Sequence, residues 1–100
     1  MVLKSYSIIC SKNIAGVEEI VDSEELDLVA KDLSDSSGFA FEKLGNVLKT
    51  KARIPWFDFE GSLELLSSKY PSLLIRIDVN DGSNNTTLFY KGGKKCPSTK

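Results

Sequence analysis

An α+β fold, with two helices packed on one face of an antiparallel sheet, is predicted by three features of this 100-residue sequence. Two segments repeat apolar residues at i, i+3 or i+4, and i+7, the spacing that lines one side of a helix. Other segments alternate apolar and polar residues with a period of two, the pattern of a strand with one covered face. Between them stand turn formers and two prolines, Pro55 and Pro71, at the points where the period changes.

Val2–Cys10 alternates Val2, Lys4, Tyr6, Ile8 and Cys10 against Leu3, Ser5, Ser7 and Ile9. Both sides of this strand carry apolar groups, which places it at the centre of a sheet. Ser11–Gly16 breaks the pattern, and Glu18–Val21 reads as a short helical turn. Asp22 then opens the first long helix. Its carboxylate can cap, Glu25 stands three residues on as in a capping box, and Glu24 and Glu25 put negative charge at the positive end of the dipole. Leu26, Val29, Ala30 and Leu33 form the covered stripe, and Ser34–Gly38 ends the helix.

Gly38–Leu44 and Val47–Ile54 read as a hairpin closed at Gly45-Asn46. In its second strand Leu48, Thr50, Ala52 and Ile54 share one face, and Lys49, Lys51 and Arg53 the other. Pro55 stops the strand. Phe59, Leu63, Leu66 and Tyr70 make the second helical stripe, with Asp58 as its cap. Pro71 ends that helix, because proline has no N–H to donate and disfavours α geometry at Tyr70. Leu73, Ile75, Ile77 and Val79 are the core face of the next strand, Asn80–Asn85 is a turn, and Thr86–Lys91 is the last strand. The order β-α-β-β-α-β is the ferredoxin-like one, with an added C-terminal strand on the sheet edge. Residues 1–91 form the domain, and 92–100 read as a basic flexible tail. An unpaired last strand invites edge-to-edge pairing with a second copy.

The run Ile54 to Lys94, with Trp56-Phe57 entering the helix, Leu-Ser-Ser-Lys-Tyr-Pro closing it and Tyr90-Lys91-Gly92-Gly93 at its end, resembles a known group. It is similar to the C-terminal part of small ferredoxin-like domains carried by plasmids and phages, the YubB type. The same helix–Tyr-Pro–strand–hairpin pattern occurs in small bacterial immunity proteins. The resemblance covers about two-fifths of the chain. It implies a fold and a mobile-genetic-element setting, and it carries over no catalytic residue.

Composition argues against catalysis. The chain has no histidine, the commonest general base and metal ligand. Cys10, on a strand and without an activating base, reads as an inert core thiol, and two cysteines are too few for a disulfide framework. Asp78–Asn84 mimics a calcium loop, but Gly82 stands where an oxygen ligand is needed and Phe89 holds the twelfth position. Gly92-Gly93-Lys94 lacks phosphate-loop spacing. No cofactor, metal or membrane contact is expected, and the absence of a leader-like segment points to the cytoplasm.

Charge is the strongest remaining signal. Residues 1–45 hold nine acids against four bases, residues 46–100 five against nine, for a net charge of −1. Glu18, Glu19, Asp22, Glu24, Glu25, Asp27, Asp32 and Asp35 concentrate negative charge on and before the first helix. They read as a solvated helix face, or as a patch that steers a basic protein partner such as the groove of a nuclease. Trp56 is core, or, where exposed, the anchor of that interface. The expected role is a small inhibitory binding protein, either an immunity protein or a phage or plasmid counter-defence factor, that occludes a basic site with its acidic first helix. The alternative is a nucleic-acid-binding module using Lys49, Lys51, Arg53 and the lysines between Lys91 and Lys95.

Overall fold

The computed structural model describes residues 3–14, 17–50, 52–56 and 58–96, and for 13, 14 and 17–20 the backbone alone. Among the described residues seven strands and two helices follow in the order β1 (Ser5–Ile14), β2 (Val17–Ile20), α1 (Ser23–Ser37), β3 (Phe41–Leu44), β4 (Val47–Thr50), α2 (Phe59–Lys69), β5 (Leu73–Asn80), β6 (Asn85–Lys91) and β7 (Lys94–Cys96). The strands form one antiparallel sheet ordered β3-β4-β1-β5-β6-β7, with β2 hydrogen-bonded to the C-terminal half of β1. The chain is thus α+β, with both helices on one side of the sheet.

β1 is the centre. Ser5–Lys12 pairs with β5 along one edge, while the other edge is divided between β4 at Ser7–Ile9 and β2 at Ser11–Ile14. β2 corrects the reading of Glu18–Val21 as a helical turn and of Ser11–Gly16 as a break. Ile14, Val17 and Ile20 are β-branched, and their stiff χ1 favours the pleated backbone.

The helix ends follow side-chain chemistry closely. Asp22 accepts from the Glu25 N–H at 2.9 Å, and Gly38 closes α1 in the left-handed conformation at φ 80°. Ser37 then donates its hydroxyl to the Phe39 carbonyl and accepts from the Phe39 N–H, both at 3.0 Å. That local turn delays β3 to Phe41, three residues later than the alternation predicts. β4 likewise stops at Thr50. The Thr50 hydroxyl is buried and accepts from the Tyr6 N–H at 3.2 Å, taking the place of a backbone partner. Ala52 turns out to the surface, and Ile54 rejoins the sheet through two backbone bonds to Lys4, at 2.8 and 3.1 Å.

α2 starts at Asp58, whose carboxylate accepts from Gly61 N–H at 3.3 Å; a Cβ at Gly61 would collide with that carboxylate. The helix ends at Tyr70, whose N–H still reaches the Leu66 carbonyl at 3.0 Å before Pro71. Leu26, Val29 and Leu33 of α1 and Leu63 and Leu66 of α2 meet Tyr6, Ile8, Cys10, Leu48, Leu73, Ile75, Ile77, Val79 and Tyr90 of the sheet in one core. Phe59 and Tyr70 pack against it half-buried.

The domain does not end at Lys91. Gly92 and Gly93 both adopt positive φ, 61° and 87°, as a two-residue hairpin with the twist of its strands requires, and Lys94–Cys96 returns as β7 beside β6. The fully buried Ser67 of α2 secures the turn. Its hydroxyl accepts from Gly93 N–H at 2.9 Å and donates to the Glu64 carbonyl at 3.1 Å.

Candidate functional site

The acidic segment divides once its partners are located. Glu18 and Glu19 lie on β2, in register with Asn13 and Lys12; their side chains fall outside the described residues. Asp22 is occupied as the cap of α1. Glu25 pairs with Lys12 of β1 at 2.6 Å, and Asp27 with Lys43 of β3 at 2.7 Å, where Lys43 also donates to Ser23 at 2.8 Å. Asp32 accepts from the Tyr70 hydroxyl at 2.7 Å and pairs with Lys69 at 3.0 Å. The acids predicted as one binding surface therefore tie α1 to β1, to β3 and to α2. Each exposed pair of this kind contributes at most about 1 kcal/mol, but each also cancels a charge that a partner would otherwise meet.

What remains outward on α1 is a narrower stripe at helical spacing: Glu24, Leu28, Lys31 and Asp35. Leu28 is 56% exposed. Among the described residues Glu24 and Asp35 have no ion-pair partner. Beside Asp35 a shallow groove of about 180 Å³ runs between the helices, lined by Asp32, Asp35, Ser36, Leu65, Leu66 and Lys69. Leu65, on its rim, is 76% exposed.

Trp56 is corrected from anchor to core. It is 5% exposed and sits edge-on to Tyr6 at 5.0 Å and to Phe41 at 5.5 Å, with Phe59 at 6.1 Å. Its buried indole N–H has no acceptor among the described residues, so apolar and aromatic packing holds the ring. Cys10 is also in the core. Burial, with a smaller contribution from the charge of Glu25, pushes its thiol up to about 12, far from a nucleophilic thiolate at neutral pH.

Among the described residues the basic side chains are spread over the sheet. Lys49 lies exposed on β4, Lys51 is outside the described residues, and Arg53 stands beside the Gly82 turn. Lys91, Lys94 and Lys95 lie on β6 and β7, and Lys95 pairs with Glu60 at 3.2 Å. Four strand spacings separate β4 from β7, roughly 19 Å.

Sequence reasoning missed a second surface, on the side of the sheet away from the helices. Leu44, Val47, Ile9, Arg76, Phe89 and Cys96 are directly opposed in turn across β3, β4, β1, β5, β6 and β7. Opposed residues project from the same face. The four apolar residues among them are half-buried or, for Leu44, 49% exposed. Two residues along, Glu42, Lys49, Ser7, Asp78 and Thr87 form a parallel polar row. Ile9 on the second side of β1 was the available signal, but a cross-strand row is visible only once register is known.

Comparison with protein-family models, with curated proteins and with solved structures finds no match. No helix among the described residues is long and apolar enough to cross a membrane.

Proposed function

We propose that the chain is a small non-catalytic binding protein that inhibits a basic protein partner by covering its charged site with the outward face of α1. The observation that carries this reading is the stripe Glu24, Leu28, Lys31 and Asp35, in which carboxylates with no ion-pair partner among the described residues flank an exposed leucine on a rigid helix. Carboxylates without internal partners remain available to a cationic surface, and an exposed leucine between them offers apolar area to bury. Glu25, Asp27 and Asp32 act in support. Their bonds to Lys12, Lys43 and Tyr70 fix the helix, so little conformational entropy is lost on docking.

We read the frame as ferredoxin-like: the run β3-β4-β1-β5, with a helix leading into β3 and another into β5, supports a split β-α-β core to which β2, β6 and β7 would be additions. An immunity or counter-defence role on a mobile element is the setting in which such an inhibitor works. The test is affinity capture from a host extract, comparing the unaltered chain with a Glu24→Lys/Asp35→Lys double variant. A partner that is basic, elutes with salt and is lost on reversal supports the reading. A partner held equally by both proteins removes α1 as the surface.

A further inference from the structure

The open face of the sheet, on the side opposite α1 and α2, carries a symmetry of its own. Ser7 of the central strand is directly opposed by Lys49 of β4 on one side and by Asp78 of β5 on the other. One pleat along, Ile9 is flanked by Val47 and Arg76 in the same way. Opposite charges thus stand one strand to either side of β1, at the same height. Among the described residues no helix packs on this face, and Ile9, Val47, Phe89 and Leu44 leave apolar surface on it.

We propose that this face is the interface of a symmetric homodimer, in which a second copy lies sheet against sheet with the two-fold axis parallel to β1. That operation places Ile9 against its own counterpart on the axis and brings Leu44 over Phe89. It also sets Lys49 over the other copy's Asp78, twice by symmetry. Aligned sheets cross at about 30°, which turns the axis about 15° from β1; Lys49 and Asp78 lie about 8 Å from the crossing point at Ile9, so the crossing displaces them by about 4 Å. The flexible lysine stem covers that distance. Asp78 keeps its own bonds to Arg76 at 3.3 Å and Thr87 at 2.6 Å, which hold its carboxylate in place to receive the incoming ammonium.

The charge pattern favours a second copy over a nucleic acid. Within the two opposed rows Lys49 and Arg76 are balanced by Glu42 and Asp78, and the further lysines of this face, Lys91 and Lys94, stand three and four strands from Lys49 on β6 and β7, so along the rows a polyanion meets as much repulsion as attraction. Phe89 is the one aromatic among the opposed residues of the two rows, where single-strand RNA binding on a sheet uses two or three stacked bases. The proposal does not depend on the α1 surface, which lies on the other side of the molecule.

The test is sedimentation equilibrium of the full chain from about 1 µM to about 500 µM, with circular dichroism to confirm that each variant is folded. The unaltered chain is expected to dimerise in that range. Ile9→Lys sets two ammonium groups against each other on the axis and should weaken the dimer at least tenfold. Lys49→Glu, at an exposed position that does not test the core, should also weaken it about tenfold. Lys49→Glu/Asp78→Lys exchanges the pair and should restore most of the loss. A chain that stays monomeric throughout overturns the proposal, as does a dimer indifferent to Ile9→Lys. So does a double exchange no better than Lys49→Glu alone, or a monomer that instead binds single-stranded RNA through Lys49.

Discussion

Two leucines two positions apart on α2 give the sharpest check of the architecture. Leu63 is wholly buried in the common core, whereas Leu65 projects from the opposite side of the same helix and is 76% exposed. Truncating Leu63 to alanine removes three carbons from a close-packed site and leaves a cavity, at a cost of about 2–5 kcal/mol. Against a total stability of about 5–15 kcal/mol, that is about a third of what holds the domain folded when the middles of the two ranges are compared. With a urea slope of about 1–3 kcal/mol per molar, the unfolding midpoint should fall by roughly 1–3 M while the slope stays constant. Leu65→Ala exchanges one good helix former for another in solvent and should shift stability by no more than about 0.5 kcal/mol. The assay is equilibrium urea unfolding followed by far-UV circular dichroism on both variants. Equal losses, or a larger loss at Leu65, would mean that α2 is rotated on the sheet, and the packing argument would fail with it.

Further outcomes follow from individual contacts. Burial acts to raise the Asp32 carboxyl, but the Tyr70 and Lys69 bonds outweigh it and hold the group below its ordinary value. Asp32→Asn should therefore lower stability near pH 7, and the gap from the unaltered chain should close as pH falls below about 4, measured by urea midpoints across pH. Burial, reinforced at Tyr70 and Tyr90 by Asp32 and Glu60, raises all three tyrosines, Tyr70 to about 12. Alkaline spectrophotometric titration should show every phenol ionising above the ordinary tyrosine value of about 10, Tyr70 only at about 12 or on unfolding, and titration near pH 10 would contradict the packing. Gly93→Ala forces a side chain to φ 87° within 3.3 Å of the Ser68 Cβ and should cost about 1–2 kcal/mol, with hydrogen exchange accelerated in Lys94–Cys96. Trp56→Phe removes a buried N–H that lacks an acceptor while opening a small void. Its loss should stay below the roughly 3–5 kcal/mol of an aromatic-to-alanine truncation, by the same urea assay.

Elements governed by neighbours in sequence were legible without coordinates. The Asp22 and Asp58 caps, the Leu26/Val29/Leu33 and Leu63/Leu66 stripes and the alternation of Leu73–Asn80 each depend on spacing within one segment. β2 was not, because Glu18 and Glu19 beside Val21 look as suitable for a first helical turn as for a strand, and pairing with Ser11–Ile14 decides between them. β7 was missed although Gly92-Gly93 is a hairpin signal; what makes three polar residues a strand is the bond from Gly93 to Ser67, 26 positions away in the chain. The candidate surface was overestimated for the same reason. Net charge can be counted from a sequence, but the partners that neutralise Glu25, Asp27 and Asp32 stand on β1, β3 and α2. Trp56 was open to either reading until Tyr6, Phe41 and Phe59 were found around it.

The place of the first strand has a kinetic consequence. Ser5 meets Asn80 and Lys12 meets Leu73, so the two longest strands of the sheet are separated by most of the polypeptide. A ribosome must have released the chain past Asn80 before the middle of the sheet can zip together; until then the nascent product has only helices and local hairpins to shelter its apolar side chains. Such distant pairing puts refolding in the slow class, milliseconds to seconds, and leaves a window in which the newborn chain is open to chaperones and to aggregation.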